Sequence, residues 1–177
     1  MKNLKWPVIV LAFVVTLALG VGGVYLRQHQ MVDEPLFQRL SEYEPVQAVD
    51  LHKDGNQQVV VVTLDYVDDF GYIHRRLNAE IVDLLGENGF RLEIRDGRDP
   101  RLETAFSAVN LALYEGEQRG NFTEMGQEVA TTLADLGIAE HKIMVDNENI
   151  YLQIRQDDAY LYEIIERGNR GKEGERA

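Results

Sequence analysis

With 177 residues, 45% of them hydrophobic and 27% charged, the chain has room for one globular domain of ordinary size and lacks the composition of a disordered polymer. Its formal net charge of −12 works against partners that are held by Lys and Arg patches, nucleic acid and anionic lipid headgroups among them. Cysteine is absent, which removes disulfide frameworks, thiolate metal sites, iron–sulfur clusters and thiol nucleophiles.

The first element is apolar. Residues 6–26, WPVIVLAFVVTLALGVGGVYL, contain no charged side chain, and at about 1.5 Å per residue they match the roughly 30 Å hydrocarbon core of a bilayer. The reading is a transmembrane helix, with Pro7 in the first turn and Trp6 and Tyr25 near the two ends. Lys2 and Lys5 precede it and Arg27 alone follows closely, which predicts a cytoplasmic N-terminus over residues 1–5 and an extracytoplasmic domain on a bacterial cytoplasmic membrane. A cleaved signal peptide, with Ala18 and Gly20 as its small residues, is the competing reading, and a cytosol-facing domain is the third. Ala18 and Gly22 also have the spacing of close helix contacts in membranes, although small residues are common in any anchor.

Residues 27–44 read as a juxtamembrane helix or linker, with Leu36, Leu40 and Tyr43 at helical intervals and Pro45 ending it. The domain proper is predicted over 45–167. Two β-rich runs flank Asp54-Gly55-Asn56, a hairpin signal, and Val59, Val60, Val61 and Val62 make the second run apolar on both faces. A central strand covered on both sides is expected there, or one whose second face is covered by a partner. Phe70, Ile73, Leu77, Ile81, Leu84 and Leu85 then mark a helix capped by Asp68 or Asp69 and stopped at Gly86. Phe90, Leu92 and Ile94 alternate with Arg91, Glu93 and Arg95 as a half-buried strand.

Asp99-Pro100 starts the next helix, whose stripe is Leu102, Phe106, Val109 and Leu113, with a break predicted from Gly116 to Gly120. A capping box at Thr123 and Gln127 opens another helix, with Met125, Val129, Leu133 and Leu136, closed by Gly137. A second hairpin turns at Asp146-Asn147-Glu148-Asn149. A last helix is expected after the cap Asp157-Asp158, burying Leu161, Ile164 and Ile165, and residues 168–177 read as a disordered tail. The sum is an α+β protein: an N-terminal transmembrane helix, then a mixed, about five-stranded sheet of two hairpins plus one strand, with helices mostly on one face.

Motifs for chemistry are sparse. Tyr66-Val67-Asp68-Asp69 resembles the Y-x-D-D signature of reverse transcriptases, whose aspartates hold metal ions. The chain supplies neither a matching upstream aspartate, since the membrane segment stands there, nor a basic template channel. Asp65, Asp68, Asp69 and His74 lie together in sequence at a strand end, where an acid and a histidine can transfer protons. Helix capping explains the aspartates more simply, and His74, with Arg75 and Arg76, is read as lying off the apolar stripe.

His29, His52, His74 and His141 lack the i, i+3 or i, i+4 spacing of a helical zinc site. Asp146, Glu148, Asp157 and Asp158 lack the order of a calcium loop. The arginines at 75, 76, 91, 95, 98 and 101 are matched by interleaved acids and read as a salt-bridged surface. Phosphate-loop, dinucleotide and serine-hydrolase motifs are missing, and Asn121-Phe122-Thr123 is a formal glycosylation sequon. No catalytic, cofactor or metal residue is assigned.

The function expected is that of a non-catalytic, membrane-anchored domain that binds another protein or itself in a cell-envelope assembly, by strand addition to a sheet edge. Its partners are the membrane, through residues 6–26, and protein, with no nucleic acid and no cofactor. The alternatives are an anchored hydrolase using carboxylates near Asp65, Asp68 and Asp69, or an extracytoplasmic ligand sensor.

Overall fold

The computed structural model describes residues 34–55 and 57–168, together with Phe13 and Thr16. Helix α1 (Glu34–Ser41) leads into the hairpin of β1 (Val46–Asp54) and β2 (Gln57–Leu64). Helix α2 (Phe70–Leu85) then crosses to β3 (Phe90–Arg95), which pairs parallel with β2. A helical hairpin follows, α3 (Pro100–Arg119) and α4 (Phe122–Asp135), and the chain ends in the meander β4 (Glu140–Val145), β5 (Asn149–Gln156) and β6 (Ala159–Glu166).

Two three-stranded sheets result, ordered β1-β2-β3 and β4-β5-β6, in place of the single five-stranded sheet that the sequence suggests. The predicted last helix is strand β6. Leu161, Ile164 and Ile165 are spaced as on a helix, but the same residues fit a strand covered on both faces: Leu161 and Ile165 enter one core and Tyr162 another. Asp157, with φ of 56°, turns the tight β5–β6 hairpin instead of capping a helix.

Helices are not confined to one face either. The β4-β5-β6 sheet buries Ile150, Leu152, Ile154, Leu161 and Ile165 against the stripe of α3 and α4. Its opposite face sends Tyr151 and Tyr162 into a second core with Phe70, Leu77 and Ile81 of α2 and Val60, Val62 and Leu64 of β2. The meander is thus a middle layer between the helical hairpin and the first half of the domain.

Strand β2 is central in its sheet, and both of its faces are buried. Val60 and Val62 point into the core. Val59 and Val61 lie on the other face, beside cross-strand neighbours that carry charge: Arg91 bonds Asp54 and Glu93, and Arg95 bonds Asp50. The aliphatic stems of such side chains cover apolar surface while their ends stay wet.

The caps at Asp69 and Asp99 form as the sequence indicates, each accepting backbone N–H groups of the first turn, with Pro100 at the start of α3. The break expected at Gly116 does not occur. Helix α3 runs through it to Arg119, and Gly116 marks the crossing with α4, where a Cβ would come within 2.6 Å of Met125. Helix α4 starts at Phe122 after Asn121, whose side chain makes no cap hydrogen bond, so the capping box at Thr123 is not used.

Among the described residues no helix is long and apolar enough to cross a membrane. The longest of them, α3, carries Glu103, Glu115, Glu117 and Arg119 along its sides. The predicted transmembrane helix at 6–26, and the extracytoplasmic placement built on its flanking charges, are corrected accordingly. That segment, apart from Phe13 and Thr16, lies outside the described residues, as does the tail from 169.

Candidate functional site

The acidic cluster singled out by sequence is a structural joint. Asp65 is exposed and accepts from Gln47 Nε2 at 3.2 Å and from the Tyr66 N–H at 2.8 Å. Asp69 caps α2 through the Tyr72 N–H at 2.8 Å, and the Asp68 carbonyl accepts from Lys142 Nζ at 2.6 Å. The loop is pinned from the meander. Tyr160 donates its hydroxyl to the Leu64 carbonyl at 2.9 Å, and the Tyr162 hydroxyl accepts the Val67 N–H at 2.8 Å and reaches the Asp65 carbonyl at 3.2 Å. Burial raises the Tyr162 hydroxyl pKa, which keeps it protonated and able to donate.

Gln153 completes the joint, donating to the Val67 carbonyl at 2.5 Å and accepting from the Phe70 N–H at 3.3 Å. Among the described residues no group of three or more His, Asp or Glu is gathered to hold a metal ion.

His74 is not beside these carboxylates and not off the apolar stripe. It is 9% exposed and tucked between Phe70 and Tyr151, with ring centroids at 6.1 and 5.5 Å. The helical pattern missed it because a histidine counts as polar, whereas its imidazole here fills an aromatic corner. Its Nδ1 has no hydrogen-bond partner among the described residues. Burial draws its pKa down to about 4, Asp146 resisting and Arg75 assisting.

The neighbouring Asp146 is a turn residue. Burial would raise its pKa, but the N–H groups of Glu148 and Asn149, with Tyr151 and Arg75, outweigh burial and hold it below the usual carboxylate range. Arg75 bonds it at 3.2 Å.

His74 lines a groove of about 960 Å³ that also takes in Phe90 and Leu92 of β3 and Ile164 and Glu166 of β6. Both strands are edges of their sheets. Gln58 donates its N–H to the Gly89 carbonyl at 3.2 Å, so the alternation of a parallel ladder turns the backbone groups of Phe90, Leu92 and Ile94 away from β2. On β6, Tyr160 and Tyr162 direct their N–H groups outward to Gly97 and Asp96. Ile164 and Glu166 share that phase, so their backbone groups lie along the same edge.

The strands are joined at the end where Asp96 and Gly97 meet Tyr160 and Tyr162. There the Asp96 side chain, 2% exposed, accepts from the Tyr162 N–H at 2.7 Å and from Arg98 Nη2 at 2.8 Å, while Arg98 also reaches the Tyr162 carbonyl and Glu163. Hydrogen bonding to Asp96, opposed by burial and aided by Glu163, raises the Arg98 pKa still further, so its guanidinium keeps its charge.

No protein-family model matches the sequence, and no curated protein sequence matches it.

The groove was not legible as a site in sequence, because its walls come from two halves of the chain. Arg98 was read with its neighbouring arginines as part of a salt-bridged surface. The alternation of Phe90, Leu92 and Ile94 did mark a strand with one covered face, but not that its edge is free.

Proposed function

We propose that this domain is a protein-binding module that takes an extended segment of a partner into the groove between β3 and β6. A single observation supports the reading: two edge strands, each with outward-facing backbone groups, wall one groove whose volume is near the upper end for ligand sites, about 300–1,000 Å³. Strand addition draws its affinity from main-chain hydrogen bonds and its specificity from alternate side chains. Here an added strand finds such groups on both sides, with Phe90, Leu92 and Ile164 as an apolar wall. The hydrolase alternative loses its motivation, since Asp65, Asp68 and Asp69 are exposed and serve the loop and the helix cap.

The test uses the full chain and fluorescently labelled peptides of about eight residues in which valine alternates with a polar residue, long enough to follow an edge at about 3.3 Å per residue. The expected result is saturable binding that slows amide exchange at residues 90–94 and 164–166. Glu166→Pro, which deletes one outward N–H at an exposed strand end, should weaken it. Absence of binding by every such peptide, or protection confined to other strands, would overturn the reading.

A further inference from the structure

The open end of the groove is acidic. Glu87 comes from the loop after α2, Glu148 from the β4–β5 turn and Glu166 from the end of β6, and all three line the same space. Among the described residues none of the three takes part in an ion pair. The basic residues lining the groove are already engaged: Arg91 with Asp54 and Glu93, Arg167 with the Asp146 carbonyl and the face of Phe122 at 4.8 Å. A second observation points to a ligand at the same place. His74, which lines the groove and is only 9% exposed, keeps an Nδ1 that nothing described satisfies. Its imidazole is uncharged near neutrality, so it adds no positive charge to offset the carboxylates.

We infer that the occupant is an extended segment of a partner protein that carries lysine or arginine beside its apolar residues. Its apolar side chains pack on Phe90, Leu92 and Ile164, and its basic ones reach Glu87, Glu148 and Glu166 at the open end. The inference rests on the strand-insertion reading above and adds the charge of the partner to it. Basic residues are required because an acidic or neutral segment would leave three carboxylates crowded and unpaired as water is displaced.

The experiment compares three labelled peptides on the full chain, valine alternating with lysine, serine or glutamate, at about 50 mM salt so that exposed charges are weakly screened. The lysine peptide should bind at least about tenfold more tightly than the serine peptide, with the glutamate peptide weakest. That advantage should vanish in Glu87→Gln/Glu148→Gln/Glu166→Gln. It should persist in Glu103→Gln/Glu128→Gln/Asp135→Asn, which removes the same charge from the helical hairpin. Equal binding of the lysine and serine peptides would overturn the inference and leave strand insertion standing, as would an equal loss in both triple variants, the mark of general attraction to an acidic protein. Failure of all three peptides would overturn both.

Discussion

The Asp96 carboxylate accepts the backbone N–H of Tyr162 at 2.7 Å and thereby joins the end of β3 to the edge of β6 across 66 residues of chain. It does so as half of an ion pair with Arg98. Removing Asp96 leaves the half-buried Arg98 with Glu163 as its remaining ion partner, and the Tyr162 N–H unpaired. Asp96→Ala is therefore expected to cost roughly 3 kcal/mol in urea unfolding, more than most single substitutions cost. A loss under about 0.5 kcal/mol would mean that the clamp is dispensable.

His74 makes stability depend on pH. Its folded pKa of about 4 lies below the ordinary 6.5, so between those values the unfolded chain binds more protons. The contribution is complete above the unfolded value and is lost as pH falls toward the folded one, by at most about 3 kcal/mol. Unfolding free energies at about pH 7.5 and about pH 5 should diverge in the parent and converge in His74→Phe, which keeps the aromatic packing and removes the titration. An unchanged slope in the variant would assign the pH dependence elsewhere.

Tyr162→Phe keeps the stack on Phe70, whose centroid lies at 4.2 Å, and deletes the hydroxyl that meets Val67 and Asp65. The expected cost is about 1–2 kcal/mol. Amide exchange should quicken at Val67 and its neighbours before the rest of the fold. Uniform acceleration would show that the loop has no separate tether.

At the crossing of α3 and α4, Gly116→Ala gains about 1 kcal/mol of helix propensity but forces a Cβ into Met125, the three nearest atoms all at 2.6 Å. Overpacking costs about 1–3 kcal/mol, so a net loss of about 1 kcal/mol is expected. A double-mutant cycle with Met125→Ala, which removes Cγ and Sδ but keeps Cβ, should recover part of that overlap term, and additivity would mean that the clash is absorbed elsewhere.

What the sequence disclosed follows from periodicity and caps. Asp69, Asp99 and Pro100 begin helices by local chemistry, and the Asp54-Gly55 turn and the alternation at 90–95 are equally local. The final strand was hidden because Leu161, Ile164 and Ile165 satisfy two periods at once, and only the presence of a core on each side of the meander selects between them. The division into two sheets was hidden for a related reason: pairing order depends on which edge is closed, and here Asp96 and Arg98 hold β6 by side chains where a ladder would be expected. Of the residues at the strand end, Asp69 is the cap that the sequence offered for α2, whereas His74 was placed on the wrong side of its helix.

Tyr151 and Leu152 are adjacent in the chain and belong to different cores. Every second residue of β5 serves a different half of the molecule, so neither half can be excised as a module: the first lacks its aromatic filling without β5 and β6, and the helical hairpin has no sheet to rest on. Melting should then be a single event seen alike by near-ultraviolet and far-ultraviolet signals. Separately produced halves divided near Gly97 should stay unstructured alone and acquire order only on mixing.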